Sequence, residues 1–372
     1  METISHSEMI PVDNKKEWMK ALNLCGLHDT YHLPEYHSLA EGLGEGRPYL
    51  FFFRNHNGCA ALPFLLRSIS EVDALDDCQD MDISSVYGYP GIVTSVNRDD
   101  PGADRFRKSF QSSLTEKLKS LNVISFFSRL NPLIPTLWMF EGMAEVSPLG
   151  PTIAIDLKSG QVDTDKGMTS TYRYDIRKRI LDARNKGVFC REDSDFEHLK
   201  EFIRIYIETM DRTEASDYYY FTEQYFYDMK ENLGVSLKLF VAELEGKIIS
   251  AALFLTTCGI IQYHLSGAPS KYLQLDGAKV ILENVHRWGT EKGFRWLHLG
   301  GGVGSCKDSL FKFKSGFSRS QHSYKIFKIA KMVIDPKKYA HLLERRRLWA
   351  KQNGYRFFQD SYFPEYRTQI CK

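Results

Sequence analysis

The chain has no apolar run approaching the ~20 residues that a membrane-spanning helix needs. Its opening stretch, METISHSEMIPVDNKKEW, mixes acids and polar groups where a secretory leader would carry an apolar core. The expectation is a cytoplasmic protein without stable membrane insertion. An excess of either charge is also missing: 49 basic residues face 47 acidic ones, and 43% of the chain is apolar. That balance excludes disorder and a blanket polyanion-binding surface. The seven cysteines (25, 59, 78, 190, 258, 306 and 371) are odd in number and scattered, with no CxxC spacing. Reduced thiols follow, with no disulfide framework and no metal cage. Short-period repeats and heptad runs are absent. Two glycine motifs are absent as well. In Gly302-Val303-Gly304-Ser305-Cys306-Lys307 a lysine stands where a dinucleotide fingerprint requires its third glycine. A P-loop fails because Ser305 takes the second-glycine place and Asp308 follows Lys307.

What is present is concentrated between Tyr263 and Phe317. A β-rich run from Ile261 to Ser266 lies between Gly259 and Gly267 and predicts a strand. From Ala278, Ile281, Leu282, Val285 and Trp288 recur at helical spacing, and Gly293 ends the helix. Phe294 to Leu299 has the length of a buried strand and breaks into Gly300, Gly301 and Gly302, where backbone can approach a ligand closely. Asp308 can cap a short helix carrying Phe313 and Lys314.

Before this stretch, the composition predicts one mixed unit over residues 1–148. It has a helix near Lys15 to Leu24, strands Pro48 to Arg54 and Cys59 to Arg67 joined by an Asn-Gly turn, an acidic loop from Asp73 to Asp82, a turn-rich Tyr87-Gly88-Tyr89-Pro90-Gly91 with its tyrosines on a groove, a helix from Ala103 and a strand from Val123. A second unit over 149–333 opens with a strand at Thr152. A helix capped by Ser170 follows and ends at Gly187. Ser194 and Glu197 have the spacing of a capping box, and Thr222 can cap a further helix after the aromatic cluster Tyr218 to Phe221. Strands from Leu237 and Lys247 join at Glu245-Gly246. Residues 334–372 form a basic helix and a tail able to pack back on the first domain. The shared outline of the two units, helices, hairpin, helix and strand, predicts a cleft between them.

Taken together, Tyr263-His264-Leu265-Ser266-Gly267-Ala268, Leu297-His298-Leu299-Gly300-Gly301-Gly302 and the run from Asp308 to Phe317 resemble the Fem-type aminoacyl and peptidyl transferases and the related acetyltransferase-like proteins of surface-polysaccharide genes. The likeness is strong from Lys238 to Phe317 and looser elsewhere. It implies an α/β (α+β) fold of tandem GNAT-like acyltransferase domains without a coiled-coil arm, and transfer of an acyl or aminoacyl group to an amine of a cell-wall or surface-polysaccharide precursor. The lysine of the Phe-Lys-x-Gly-Phe pattern, Lys314 here, is implicated in catalysis by the resemblance. No tightly bound cofactor is implied, and the donor is an aminoacyl-tRNA or an acyl-CoA.

The residues themselves agree on the chemistry to look for. Acyl transfer needs a cation or N–H groups at the developing oxyanion, a part Lys314 can take, with Asp308 capping its helix or pairing with it. Tyr263 is the substrate-contact choice on its strand, since His264 occupies the alternate face. His298, lone on a buried strand, reads as a core residue. Phe313 and the three glycines complete the expected site, and Arg173 with Arg177, one helical turn apart, can grip a phosphate. The usual pyrophosphate-binding turn of acetyltransferases corresponds to Gln274-Leu275-Asp276-Gly277-Ala278-Lys279, where Asp276 and Lys279 disfavour CoA. Arg345, Arg346 and Arg347 offer a basic patch for RNA. Other readings are an acetyl-CoA-dependent N-acetyltransferase of an amino sugar and a non-catalytic binding protein of the same fold. Acceptor and oligomeric state are not legible.

Overall fold

Strand β1 (His6–Pro11), α1 (Lys15–Cys25), α2 (Pro34–Gly42), β2 (Arg47–Asn55), β3 (Gly58–Ser68), β4 (Met81–Ser84), β5 (Val93–Thr94), α3 (Ala103–Ser120) and β6 (Val123–Leu130) open the chain in this computed structural model, which describes residues 5–158, 162–163, 168–169, 171–358 and 362–371. The chain divides into two compact units, Met1–Leu149 with Phe327–Lys372, and Gly150–Ile326. In the first, β2 and β3 form the hairpin that Asn57-Gly58 predicts. Alternation along β2 supplies both faces of the sheet. Phe51 and Phe53 pack with Phe106 and Phe110 of α3, whereas Leu50 and Phe52 join Trp18 and Leu22 of α1. The acidic loop ends earlier than expected. Met81 to Ser84 pairs parallel to β6, a strand hidden from pattern reading because its buried centre includes the carboxylate of Asp82.

The chain continues with β7 (Glu145–Asp156), the short antiparallel pair β8 (Val162–Asp163) and β9 (Met168–Thr169), α4 (Tyr174–Asn185), β10 (Phe189–Glu192), α5 (Leu199–Arg212), α6 (Glu223–Leu233), β11 (Leu237–Leu244), β12 (Lys247–Thr257), β13 (Ile260–Gly267), α7 (Gly277–Glu291), β14 (Trp296–Gly300) and α8 (Ser309–Ser315). In the second unit the sheet runs β7-β14-β13-β12-β11-β10. All its pairings are antiparallel except β13 with β14, which is parallel. One face is covered by α7 and α4, through Val280, Ile281, Val285, Ile176 and Ile180. On α5, Ile205 and Thr209 meet β13 at Gly267, where a Cβ would come within 2.8 Å of the Ile205 carbonyl.

Two expected helix starts are corrected. The Ser194–Glu197 capping box does not form. Asp193 instead accepts from the N–H groups of Glu197 (3.3 Å) and His198 (2.8 Å), and α5 begins at Leu199. Asp193, Glu197 and His198 thereby gather their ligand-type atoms within 4.8 Å of one another, a cluster explained by those bonds in the turn before α5. At α4, Ser170 lies outside the described residues, and Arg173 occupies the cap position.

The last elements are β15 (Tyr324–Val333), α9 (Pro336–Gln352), β16 (Arg356–Phe357) and β17 (Ile370–Cys371). Lys328 to Val333 pairs antiparallel with β6. Asp335 caps α9 with Pro336 at its first position, and Tyr339 and Leu342 pack with Ile69, Leu75 and Tyr366. The basic patch on this helix is not a free surface. Arg345 pairs with Asp77 and Arg346 with Asp73 of the acidic loop, and Arg347 with Glu365 of the tail, so each of the side chains proposed for RNA has a carboxylate partner.

Candidate functional site

Strands β13 and β14 are hydrogen-bond partners only from Ile260–Gln262 to Trp296–His298. Beyond those residues β13 runs on to Gly267 and β14 to Gly300 without pairing to each other, each still bonded to its outer neighbour, which opens the sheet between two carboxyl-terminal strand ends, the usual place for a ligand in a sheet of this kind. A bulge helps to shape the opening. Opposite Leu253 and Phe254 of β12 stand Leu265 and Tyr263, leaving His264 as the extra residue. Strict alternation therefore fails between Tyr263 and His264, because a bulge re-aims the strand. Burial depresses the His264 imidazole to about 4. The Tyr263 hydroxyl donates to Ser266 Oγ at 2.6 Å, and burial raises its pKa against that bond.

After β14 the chain turns at Gly300, whose φ of +71° favours glycine. At Gly301 the close neighbour is protein: an added Cβ would lie 3.0 Å from the Pro151 carbonyl. A Cβ at Gly302 would overlap the Asp308 carboxylate. That carboxylate joins bend to helix, accepting from Val303 N at 3.0 Å and Phe311 N at 2.8 Å. The capping role read for Asp308 is thus present, with a second bond the sequence did not show.

Lys314 is on the last turn of α8. It is buried, 8% exposed. Its ammonium donates to the Gly301 carbonyl at 2.7 Å and lies 5.8 Å from the centre of the Tyr263 ring. Burial pushes its pKa down to about 8, with the Asp308 carboxylate acting in the opposite sense. A group with that pKa stays mainly cationic at neutral pH. The glycine bend, β13 and α8 therefore converge on one ammonium, and Lys314, Asp308, Tyr263, Gly300, Gly301 and Gly302 form one constellation.

Phe313 is half-buried against Phe317 at 5.5 Å, with the Lys279 ammonium 5.5 Å from its ring centre. Arg173 also reaches this neighbourhood. Its N–H donates to the Gly316 carbonyl at 2.9 Å, and its Nη2 lies 3.1 Å from where a Gly316 Cβ would be. Its guanidinium pairs with Asp175. Arg177, the next turn of α4, is half-buried with a buried Nε lacking a hydrogen-bond partner. Buried His298 donates Nδ1–H to Gln262 Oε1 at 2.7 Å across the last parallel register pair, and burial followed by Lys314 holds its pKa down at about 3. It is a neutral partner of the strand pair, as the core reading expects. Cys306 is exposed.

At the start of α7, Asp276 takes the left-handed conformation as cap residue. Its carboxylate is paired with both Lys279 and Arg179. The negative charge weighed against CoA at this turn is therefore neutralised, a feature hidden from sequence because Arg179 is distant in the chain. A cavity of about 380 Å³ beside it is lined by Lys178, Arg179 and Lys186 but also by Asp175, Asp182 and Asp276, so its acids and bases balance.

The comparisons agree with this architecture. Residues 170–314 match the acetyltransferase (GNAT) domain family, ending at Lys314. The crystal structure of FemX is similar over 90% of this chain and 99% of its own, with a TM-score of 0.66 and 12% identity. The L-PGS structure from Bacillus licheniformis shares 15% identity over 91% of this chain and 97% of its own, with a TM-score of 0.55. A conserved protein of unknown function from Bacteroides thetaiotaomicron shares 9% over 88% of this chain and 100% of its own, with a TM-score of 0.53. No curated protein matches the sequence. The fold is α/β with tandem GNAT-like units. The domain match thus covers most of the second unit, and the chain shares the fold of FemX.

Proposed function

We propose that the second unit transfers an acyl or aminoacyl group to an amine on a bacterial cell-wall or surface-polysaccharide precursor, acting in the cytoplasm. Lys314 carries the proposal: a buried cation at the open end of β13 and β14, held by the Gly301 carbonyl and Tyr263 ring, is suited to an oxyanion or to a departing thiolate or hydroxyl. In the reaction the acceptor nitrogen bonds to the donor carbonyl carbon, the carbon–sulfur or carbon–oxygen bond to the carrier breaks, and the amine proton leaves with the carrier or passes to water. Tyr263, Phe313 and the backbone from Gly300 to Gly302 contact substrate, Asp308 holds the bend and the Lys314 helix together, and Arg173 and Arg177 receive an anionic part of donor or acceptor.

The domain match supports an acyl-CoA donor, and the neutralised Asp276 removes one objection to it. An aminoacyl-tRNA is the donor that the Fem resemblance supports. Among the described residues no helix is long and apolar enough to cross a membrane. Mass spectrometry of peptidoglycan and surface-glycan precursors from cells with and without the protein tests the proposal. Loss of the protein is expected to leave a precursor lighter by one acyl or aminoacyl group, and identical precursor profiles would overturn it.

A further inference from the structure

The first unit has a parallel strand pair of its own, made of residues outside the candidate site. β4 and β6 pair at Met81–Val123, Asp82–Ser125 and Ile83–Phe126. The pairing is prolonged by Ser85 N–H donating to the Phe127 carbonyl at 3.1 Å and Arg129 N–H donating to Ser85 Oγ at 3.0 Å. Past the carboxyl end of β4 come Tyr87 and Tyr89, while on β6 Arg129 is the last residue but one of the strand and Asn131 follows its end. The Arg129 guanidinium lies 5.3 Å from the centre of the Tyr87 ring and 6.0 Å from that of Phe327, and Phe327 meets Tyr89 edge-on at 4.9 Å.

Arg129 is half-buried, yet among the described residues its guanidinium has neither an ion pair nor a hydrogen bond. Each other buried or half-buried arginine described in this unit has a carboxylate: Arg67 and Arg367 share Asp82, Arg107 has Asp104, and Arg345, Arg346 and Arg347 are paired on α9. The fully buried acids of the unit are committed elsewhere. Asp29 accepts from Thr30 N and Asn131 Nδ2, and Asp82 accepts from Arg67, Arg367 and Tyr366. A guanidinium held between rings by cation–π contact has fewer orientations open to it, so less side-chain freedom is lost when a two-oxygen anion meets its fork.

We propose that Arg129, flanked by Tyr87 and Phe327, is a binding site for an oxyanion, the phosphate or carboxylate group of a ligand taken up by the first unit. The site is independent of acyl transfer in the second unit, and its test reads binding alone. Titration calorimetry of the full chain uses inorganic pyrophosphate and succinate as probes, with Arg129→Gln, Tyr87→Leu and, as a control on the exposed side of α3, Arg105→Gln. Binding of one probe, weakened at least tenfold by Arg129→Gln, less by Tyr87→Leu and not at all by Arg105→Gln, is the expected result. Pyrophosphate as that probe assigns a phosphate ligand and succinate a carboxylate one. Failure of both probes to bind, or equal binding by wild type and Tyr87→Leu together with Arg129→Gln, overturns the site. Should Arg129→Gln not fold, the Tyr87→Leu result alone decides by the same criterion.

Discussion

Lys314 is a charged side chain kept where charge is unfavourable. Lowering an ammonium pKa from 10.5 to about 8 corresponds to about 3 kcal/mol of destabilisation of the charged form at neutral pH. Lys314→Met removes the charge at similar length, so transfer activity is expected to fall at least about tenfold, roughly 1.4 kcal/mol of transition-state stabilisation, while the melting temperature holds or rises. Steady-state kinetics with thermal melts check both, and full activity in the folded variant removes Lys314 from the chemistry. The pH sign follows from the same shift. Between about 8 and 10.5 the unfolded chain binds the proton that the folded chain has released, so wild-type stability rises relative to Lys314→Met across that window. Activity that needs the cation declines as pH passes about 8. The sequence located this residue through Phe313-Lys314 and the following Gly316-Phe317, but burial and the partnering carbonyl belong to residues 13 apart in the chain.

At the scale of elements, helix starts separate what pattern reading finds from what it misses. Thr222 and Asp308 cap α6 and α8 as their positions suggest, accepting from Tyr225 N and Phe311 N. The start of α5 differs because a buried Asp193, 2% exposed, takes the Glu197 and His198 N–H groups in the turn before the helix and also meets Arg191 at 3.7 Å. Asp193→Ala is expected to destabilise the fold by about 1–2 kcal/mol, and Ser194→Ala by less than about 0.5 kcal/mol. Chemical denaturation of both variants checks this. Equal losses would restore the Ser194 cap. The glycine bend offers the same contrast: three glycines mark a turn, but their sequence does not say that Gly301 is constrained by the Pro151 carbonyl and Gly302 by the Asp308 carboxylate.

At the scale of the whole molecule, the first unit is closed by its own C-terminal tail. Buried Asp82 accepts from Arg67 at 2.7 Å, from Arg367 at 2.6 Å and from the Tyr366 hydroxyl at 3.0 Å. Arg367 also donates to the Ser68 carbonyl. Asp82→Ala leaves two arginines beside an apolar site and is expected to cost about 3–5 kcal/mol. Hydrogen exchange should show residues 362–371 losing protection before the rest of the unit. Unchanged exchange in the tail would mean that Tyr366 packing against Tyr339 and Ile69 holds it without Asp82.

Periodicity, turn chemistry and caps are properties of neighbouring residues, so the sequence by itself determined the strands and helices from Leu237 to Gly316, the Asn57-Gly58 hairpin and the amphipathic α3 and α5. It also carried the Fem-like pattern that singled out Lys314. Tertiary structure decided everything that depends on partners far apart in the chain. It showed β4 as a strand around a buried acid and opened β13 from β14 beyond Gln262 and His298. It cancelled the Arg345 to Arg347 patch against Asp73, Asp77 and Glu365, and neutralised Asp276 with Arg179. A charge is legible in sequence, but whether it is free depends on what lies within 4 Å of it, and only the folded chain brings those groups together.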